Sequence, residues 1–182
     1  MELSDAIKEL KNSLEFKRWH SKAENKDSYL THALITASGP DFVDPSEFQF
    51  GFYSVDRDTV TTFLVRPLSA TLADSSNLKV VQGEETEALK PQGATIAPLD
   101  VNSVILDFSK AVSIAKNEIE LESAKISNSI LVLQNLTEFG QVWNITFVLN
   151  YNYLLNVKID SESGQIKDKI STPLSRMMNE YK

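Results

Sequence analysis

The chain has 182 residues, of which 42% are apolar and 9% aromatic, and its formal net charge at pH 7 is −7. That apolar content can bury a core, which argues against wholesale disorder. The acidic balance argues against a protein that binds nucleic acid or anionic membranes, because both partners require clustered Lys and Arg. The chain has no cysteine, so a disulfide scaffold, a thiolate zinc site and a cysteine nucleophile are excluded.

No apolar run approaches the roughly 20 residues that a membrane-spanning helix needs. Charged residues are spread through residues 1–20, so no signal peptide is visible. We therefore expect no integral membrane segment in this sequence. Either the protein is cytosolic, or an export segment lies outside the sequence given.

The first half of the chain predicts one helix and three strands. Leu3, Ala6, Ile7, Leu10 and Leu14 have helical spacing, which predicts a helix over about 4–18 with Ser4 as its N-cap. Residues 29–37 are rich in β-branched and aromatic side chains and predict a strand. A loop marked by Gly39-Pro40 and Pro45 follows. Phe48, Phe50 and Phe52 alternate with their neighbours in a second strand, and a turn at 55–58 leads into its hairpin partner at 59–66.

Residues 67–104 differ in composition from the parts on either side. They contain three prolines, two glycines and an acidic cluster at Glu84, Glu85 and Glu87. One strand-like run, Leu78–Gln82, lies within them. We interpret this region as a connector with a short strand of its own, because a long structureless loop is unusual in a compact domain.

The second half repeats the order of the first. Ala111, Ile114, Ala115 and Ile119 predict a helix over about 108–122, capped by Asp107 or Ser109. Strands follow at 129–135, 142–149 and 153–160, and an Asp-Ser-Glu-Ser-Gly turn at 160–164 leads to a third short strand of the closing segment. Trp143 begins the apolar face of its strand and is assigned to the core. Trp19 follows the first helix and either packs against it or is partly exposed as a contact residue, and packing is the preferred expectation.

The order helix–strand–strand–strand therefore occurs twice. This order predicts an α+β fold of two tandem units, each a helix with a three-stranded antiparallel sheet in PepSY-like or cystatin-like layers. The corresponding division of the chain is a first unit at 1–66, the connector at 67–104 and a second unit at 105–182.

Two segments of the second half resemble the PepSY domain family. Residues 107–115 (DFSKAVSIA) look like the beginning of the family's helix. Residues 142–147 (VWNITF), 155–160 (LNVKID) and then Gly164-Gln165-Ile166 are similar to its closing hairpin, in which an aromatic-led strand pairs with one that ends in Asp. The resemblance covers about 98–170, whereas residues 3–66 match only in element order, as a degenerate second copy would.

The resemblance implies a helix packed on an antiparallel sheet and a non-enzymatic, inhibitory or regulatory binding role. PepSY domains occur in protease propeptides and in envelope or secreted proteins, which implies an extracytoplasmic location, secreted or anchored through a segment outside this sequence. A cytosolic location stays open, as does the oligomeric state. No catalytic residues are carried over from the family.

The residues themselves indicate a binding surface and no catalytic, metal or cofactor site. The two histidines, His20 and His32, have no partner at ligand spacing. Carboxylate pairs such as Asp56/Asp58 and Glu84/Glu85 lie in turn or connector sequence, where solvated carboxylates are the default. The surface that we select for a protein or peptide partner is the polar face of the closing hairpin, with Asn144, Asn152, Asn156 and Lys158. A solvated face explains the same pattern.

Two functions follow. The first is a PepSY-type binding or regulatory module that acts on a protease or another envelope or secreted partner, with an exposed strand edge available to an extended peptide. The alternative is a small-molecule carrier or enzyme of cystatin- or NTF2-like α+β fold, with a pocket between helix and sheet. Its lining would comprise Phe48, Phe50, Phe52, Tyr53 and Phe63, which are also candidate core residues.

Overall fold

The structure is a computed structural model that describes residues 1–38, 47–68, 78–90, 94–119, 124–150 and 152–173. Within these ranges it contains three α-helices and eight β-strands. The helices are α1 (Leu3–Asn12), α2 (Leu14–His20) and α3 (Phe108–Lys116). The strands are β1 (Tyr29–Ser38), β2 (Phe48–Ser54), β3 (Thr59–Pro67), β4 (Leu78–Glu87), β5 (Ile126–Leu136), β6 (Gly140–Leu149), β7 (Tyr153–Asp160) and β8 (Ile166–Pro173).

All eight strands belong to one antiparallel sheet, in the order β4-β3-β2-β1-β5-β6-β7-β8. Each half of the chain forms a meander of four strands. The two meanders join through β1 and β5, where Ile35 lies opposite Leu131 and Ala33 opposite Leu133. Because these four side chains are all buried on the same face, the core continues across the junction.

The predicted fold class is therefore wrong. The protein is mostly β, and it does not consist of two helix-plus-three-strand units, because each half contributes four strands to one continuous sheet. The strand predicted at Leu78–Gln82 extends to Glu87 and forms one edge of that sheet as β4. Local periodicity reveals strands but carries no signal for the pairing of β1 with β5, which lie about a hundred residues apart.

The helices cover one face of the sheet. Helices α1 and α2 pack against β3 and β4, and α3 packs against β6 and β7. Large buried side chains on this face include Phe48, Phe50, Phe63, Trp143, Phe147 and Leu155. Trp19 is also buried, where its ring contacts Phe52 and Phe63. The assignment of Trp143 to the core is confirmed. Trp19 is part of α2, and it packs on the sheet through Phe52 and Phe63.

The first helix differs from its prediction. Residues 4–18 do not form one helix, because Ser13 adopts an extended conformation (φ −63°, ψ 152°) and its hydroxyl accepts a hydrogen bond from Phe16 N as the N-cap of α2. Glu2, rather than Ser4, occupies the N-cap position of α1. The break turns Leu14 away from the apolar face, and its side chain is 64% exposed. Helical spacing continues through the break, so periodicity alone does not reveal it.

The second predicted helix begins as expected and ends early. Asp107 caps α3 by accepting a hydrogen bond from Lys110 N at 2.8 Å, which confirms the predicted cap. The helix ends at Lys116 rather than near 122. Residues 120–122 of the prediction, and the loop marked by Gly39-Pro40 and Pro45, lie outside the described residues. Within the described part of the chain, none of the helices has the length and apolarity that crossing a bilayer demands.

Candidate functional site

The face of the sheet opposite the helices carries a row of residues that lie side by side on four strands. Thr62 on β3 lies opposite Gly51 on β2, Gly51 lies opposite His32 on β1, and His32 lies opposite Gln134 on β5. Gln49 is two residues from Gly51 and therefore points to the same face. These side chains form the floor of the candidate site.

His32 reaches this face because β1 is irregular. Leu30 lies opposite Phe52 and His32 opposite Gly51, so Thr31 is an extra residue between the two pairs. Leu30 and Ala33 both belong to the core although they are three residues apart, which strict alternation would not allow. The bulge at Thr31 thus directs His32 to the helix-free face.

The connector that follows β4 lies over this floor. Its described parts, residues 88–90 and 94–98, are called the strap below. At its first end, Ala88 N donates to Asp58 O at 3.0 Å. Lys90 Nζ donates to Tyr53 OH at 3.0 Å and forms an ion pair with Asp58 at 2.8 Å. The beginning of the strap is therefore attached to the turn between β2 and β3.

The far end of the strap is attached to β1 and β5. Tyr29 OH donates to Ile96 O at 2.7 Å, and Asn135 Nδ2 donates to Pro98 O at 3.0 Å. Leu99 N, directly after the strap, donates to Leu30 O at 2.8 Å. Both ends of the strap are thus held by hydrogen bonds that do not involve the residues of the floor.

Between the strap and the floor lies a cleft of about 430 Å³. Its floor is polar and uncharged, with His32, Gln49, Thr62 and Gln134, whereas Val60 and Ile96 supply apolar walls. Leu89 also borders the cleft but is fully exposed. Glu87 and Lys90 are charged lining residues; Lys90 is already paired with Asp58. Volume and lining are typical of ligand sites, which are largely apolar with a few polar groups.

The two contacts of Thr31 assign a tautomer to His32. Thr31 Oγ1 lies 3.1 Å from Gly51 O, to which it can only donate, and 3.0 Å from His32 Nδ1. Both contacts are hydrogen bonds at once only when Nδ1 carries a proton, so we assign the ring the Nδ1–H form. The lone pair of His32 is then on Nε2. Burial lowers the pKa of His32 below its ordinary value, which favours this neutral ring.

The pairing of Thr31 with His32 is not a nucleophile–base arrangement. In such pairs the hydroxyl donates its proton to the imidazole. Here the hydroxyl donates to Gly51 O instead, and Thr31 is buried. The contact therefore orients the imidazole and does not activate the hydroxyl.

Three side chains of the floor have unused hydrogen-bonding groups. Among the described residues, no side-chain hydrogen bond engages His32 Nε2 or the carboxamides of Gln49 and Gln134. These atoms have no partner in the described part of the chain and are also not buried. They are therefore accessible from the cleft. A ligand in the cleft would meet one acceptor and two carboxamides, each of which can both donate and accept.

Two of the carboxylates considered in the sequence, Asp58 and Glu85, belong to ion pairs with basic residues. Asp58 accepts hydrogen bonds from Lys90 and from Tyr53 OH, which together lower the pKa of Asp58. Hydrogen bonds from Thr59 Oγ1 and from Arg57 lower the pKa of Glu85. These groups are stabilised in the ionised form, which suits ion pairing rather than proton donation.

Three of the four predicted partner-binding residues lie together. Asn156 Nδ2 donates to Asn144 Oδ1 at 2.6 Å, and Lys158 Nζ contacts Asn156 Oδ1 at 3.3 Å. Lys158 also pairs with Asp168 on β8 at 2.5 Å. These four side chains are called the amide ladder below. Because their polar groups bond to one another, they offer fewer hydrogen-bonding groups to a partner than the cleft does.

Asn152, the fourth predicted residue, does not join the amide ladder. It has φ 58° and lies in the turn between β6 and β7, where Asn tolerates the left-handed conformation. The aromatic set proposed to line a pocket is also divided. Its four phenylalanines are buried in the core, and Tyr53 lies on the opposite face next to Tyr29.

The Asp-Ser-Glu-Ser-Gly segment is a hairpin turn, as the sequence predicts. Asp160 Oδ1 accepts hydrogen bonds from Glu162 N, Ser163 N and Ser163 Oγ. Gly164 adopts φ 75°, which favours glycine. The oxygen that accepts three hydrogen bonds is fully engaged within the turn.

Comparisons of the chain with protein-family models, with curated proteins and with solved structures found no match. The PepSY resemblance therefore rests on the residues quoted above and stays a prediction. Any function assigned to the chain depends on the geometry of the cleft.

Sequence pattern did not single out Gln49, Gly51 or Gln134, and it marked His32 only as an isolated histidine. Two signals were present. A glycine inside the strand FQFGFYS indicates close approach by another group, and a histidine inside LTHALIT is a polar residue in an apolar strand. What local pattern could not supply was the lateral alignment of these residues on four strands.

Proposed function

We propose that this protein is a non-enzymatic binding module of regulatory type, and that it holds a segment of a protein partner in the cleft beneath the strap. The observation that carries the proposal is a set of three uncharged floor groups, His32 Nε2 and the carboxamides of Gln49 and Gln134, which are accessible and have no hydrogen-bond partner among the described residues.

The attachment of the strap supports a site that exists before the ligand arrives. Hydrogen bonds from Tyr29 and Asn135 hold one end, and Lys90 with Asp58 holds the other. A ligand that enters such a cleft does not have to order the strap, which reduces the entropic cost of binding. The bonds that hold the strap leave the floor groups available.

The chemistry of the floor supports binding rather than turnover. The hydroxyl nearest to His32, that of Thr31, donates to a backbone carbonyl. The carboxylate that pairs with the strap through Lys90, that of Asp58, has its pKa lowered by Lys90 and Tyr53. The PepSY resemblance agrees with a binding role and adds the expectation of an extracytoplasmic setting, both on sequence pattern alone.

The second candidate function is that of a small-molecule carrier. Its binding site would be the cleft and not the expected pocket between helix and sheet. The phenylalanines that would have lined a pocket between helix and sheet fill the core. The cleft volume of about 430 Å³ nevertheless lies in the range of small-molecule sites. The same cleft would then hold a compact ligand instead of a peptide segment.

Selection from a displayed peptide library on the immobilised full chain tests the proposal. We expect enriched peptides that bind the wild type and lose roughly tenfold or more in affinity to the Gln49→Ala/Gln134→Ala double variant. Asn128→Ala is the matched control, because Asn128 is an exposed residue on the same strand and face as Gln134, and it should leave affinity unchanged.

Peptides that bind wild type and double variant equally would contradict the cleft as the binding site. If no peptide is enriched while a small-molecule fragment set binds in a cleft-dependent manner, the carrier function replaces the peptide-binding one. Folding of each variant is checked by its urea denaturation midpoint.

A further inference from the structure

We infer that the cleft recognises an uncharged amide group, with His32 Nε2 accepting the amide N–H and the carboxamides of Gln49 and Gln134 completing the hydrogen bonds. This inference rests on the proposed function, because it names the chemistry of the group that the same cleft holds.

The acceptor is set by the fold. Thr31 Oγ1 donates a hydrogen bond to Gly51 O and accepts one from Nδ1–H of His32. His32 can then only accept at Nε2. A ligand group that meets this nitrogen has to be a donor, which excludes a carboxylate or a phosphate dianion at that position.

The two glutamines complement the same group. His32 and Gln134 lie directly opposite each other on β1 and β5, and such neighbours have Cβ atoms roughly 4.5–5.5 Å apart. Gln49 lies on the adjacent strand, opposite Leu34. A primary or secondary amide offers one N–H and one C=O within a few ångströms, which matches an acceptor beside carboxamide donors.

The charges around the cleft favour a neutral ligand. Lys90 is paired with Asp58 and with Tyr53 OH, so an anion would have to compete with Asp58 for the ammonium group. The floor itself carries no carboxylate, and Glu87, on the lining, is exposed. A charged group would therefore lose hydration on the floor without gaining a counter-charge there.

Two sources share this chemistry, a backbone peptide group and the side chain of Asn or Gln. Four probes of similar size distinguish them: N-acetylalanine methylamide, N-acetylglutamine methylamide, N-acetylglutamate methylamide and methyl O-acetyl-lactate. The first has only backbone amides, the second adds a side-chain carboxamide, the third adds a carboxylate, and the ester has no N–H. Each is titrated at pH 7.5 into the ¹⁵N-labelled full chain.

We expect the alanine and glutamine probes to shift the His32 Nε2 resonance and the side-chain amide resonances of Gln49 and Gln134. The ester should bind roughly tenfold or more weakly, because it leaves the acceptor unpaired. A glutamine probe that binds several-fold more tightly than the alanine probe assigns the site to a side-chain carboxamide, whereas equal affinities assign it to the backbone. The glutamate probe should bind no more tightly than the alanine probe.

Gln134→Ala should weaken the amide probes and the ester alike, because both offer a carbonyl to its carboxamide, and Asn128→Ala should change neither. Equal affinity of ester and amide, or no shift at the three resonances with 50 mM probe, overturns the inference. The proposed function is tested separately by the peptide selection: cleft-dependent peptides would leave it standing even if the amide probes failed. If neither the peptide selection nor the amide titration shows binding that depends on the cleft, the cleft is not a binding site.

Discussion

The imidazole of His32 lies flat against the backbone of Gly51. A Cβ at position 51 would lie 2.1 Å from Cε1 and 2.5 Å from Nε2 of His32, far inside van der Waals contact. The two residues are directly opposite each other on β1 and β2. The histidine ring thus occupies the space that a side chain at position 51 would fill.

Gly51→Ala should therefore destabilise the protein or expel His32 from its position. Overpacking of this kind costs about 1–3 kcal/mol of unfolding free energy. Gly51 does not belong to the described glycines with positive φ, which are Gly140 and Gly164, so the cost is steric. Urea denaturation measures the free energy, and the His32 ring resonances report its displacement.

The control for this prediction is the same substitution without the histidine. In a His32→Ala background, Gly51→Ala should be neutral or stabilise by about 0.4–1 kcal/mol, because alanine reduces the entropy of the unfolded chain. A double-mutant cycle isolates the interaction. If Gly51→Ala costs as much in the His32→Ala background as in the wild type, the ring is not the cause.

The burial of His32 predicts a dependence of stability on pH. Burial lowers the pKa of His32 in the folded state below its unfolded value of about 6.5. Below that value the unfolded chain binds a proton that the folded chain resists, so stability falls as pH decreases from about 6.5 toward the folded-state pKa. Above it this contribution is fully present.

Denaturation at pH 7.5, 6.5 and 5.5 measures that dependence. His32→Gln, which keeps a polar side chain but does not titrate, should flatten the decrease over this range. His20→Gln is the matched control at the only other histidine of the chain and should leave the decrease as it is. A wild-type decrease that survives His32→Gln would assign the effect to other groups.

The sequence predicted local elements well where side chains alternate or recur every turn. The buried face of β6, with Trp143, Ile145 and Phe147, followed from alternation alone and is observed as predicted. The prediction failed where a single polar residue overrides the period, as Ser13 does between α1 and α2. It failed again at the pairing of β1 with β5, because register between distant strands depends on the whole sheet.

The candidate site was harder to predict for the same reason. Asn144, Asn156 and Lys158 were selected because they share one face of a hairpin, and the structure does bring them together. It also pairs Lys158 with Asp168 on β8, outside that hairpin. The cleft combines residues from β1, β2, β3, β4, β5 and the connector after β4, and alternation within one strand contains no information about that combination.

The amide ladder is expected to stabilise the sheet. Lys158 is 15% exposed and Asp168 29%, and Lys158 Nζ also lies 5.3 Å from the ring centre of Phe139. Because the pair is partly shielded, Lys158→Met should cost about 1 kcal/mol of unfolding free energy, at the upper end for surface pairs. A double-mutant cycle with Asp168→Asn measures the coupling.

Lys110→Met is the matched control for the amide ladder. Lys110 forms an ion pair with Asp107, but its side chain is 71% exposed, so the change should stay within about 0.5 kcal/mol. Equal effects at Lys158 and Lys110 would contradict a stabilising ladder. Asn144, Asn156 and Lys158 would then be available to a partner, as their shared face in the sequence predicts.

The turn between β7 and β8 predicts a second dependence of stability on pH, at more acidic pH than that of His32. The backbone N–H of Ser163 is the main cause that lowers the pKa of Asp160 to about 2, and the hydroxyl of Ser163 and Lys167 lower it further. The unfolded value lies near 3.9. The stabilisation by ionised Asp160 is therefore present above about pH 4 and is lost as pH falls toward 2.

Asp160→Asn should cost about 1 kcal/mol at pH 7, because a neutral amide oxygen is a weaker acceptor for the N–H groups of Glu162 and Ser163. Its stability should also change less than that of the wild type between pH 4 and pH 2. Glu162→Gln is the control, since it removes the same charge from an exposed residue of the same turn. An equal loss in both variants would assign the effect to net charge instead of to the hydrogen bonds that close the hairpin.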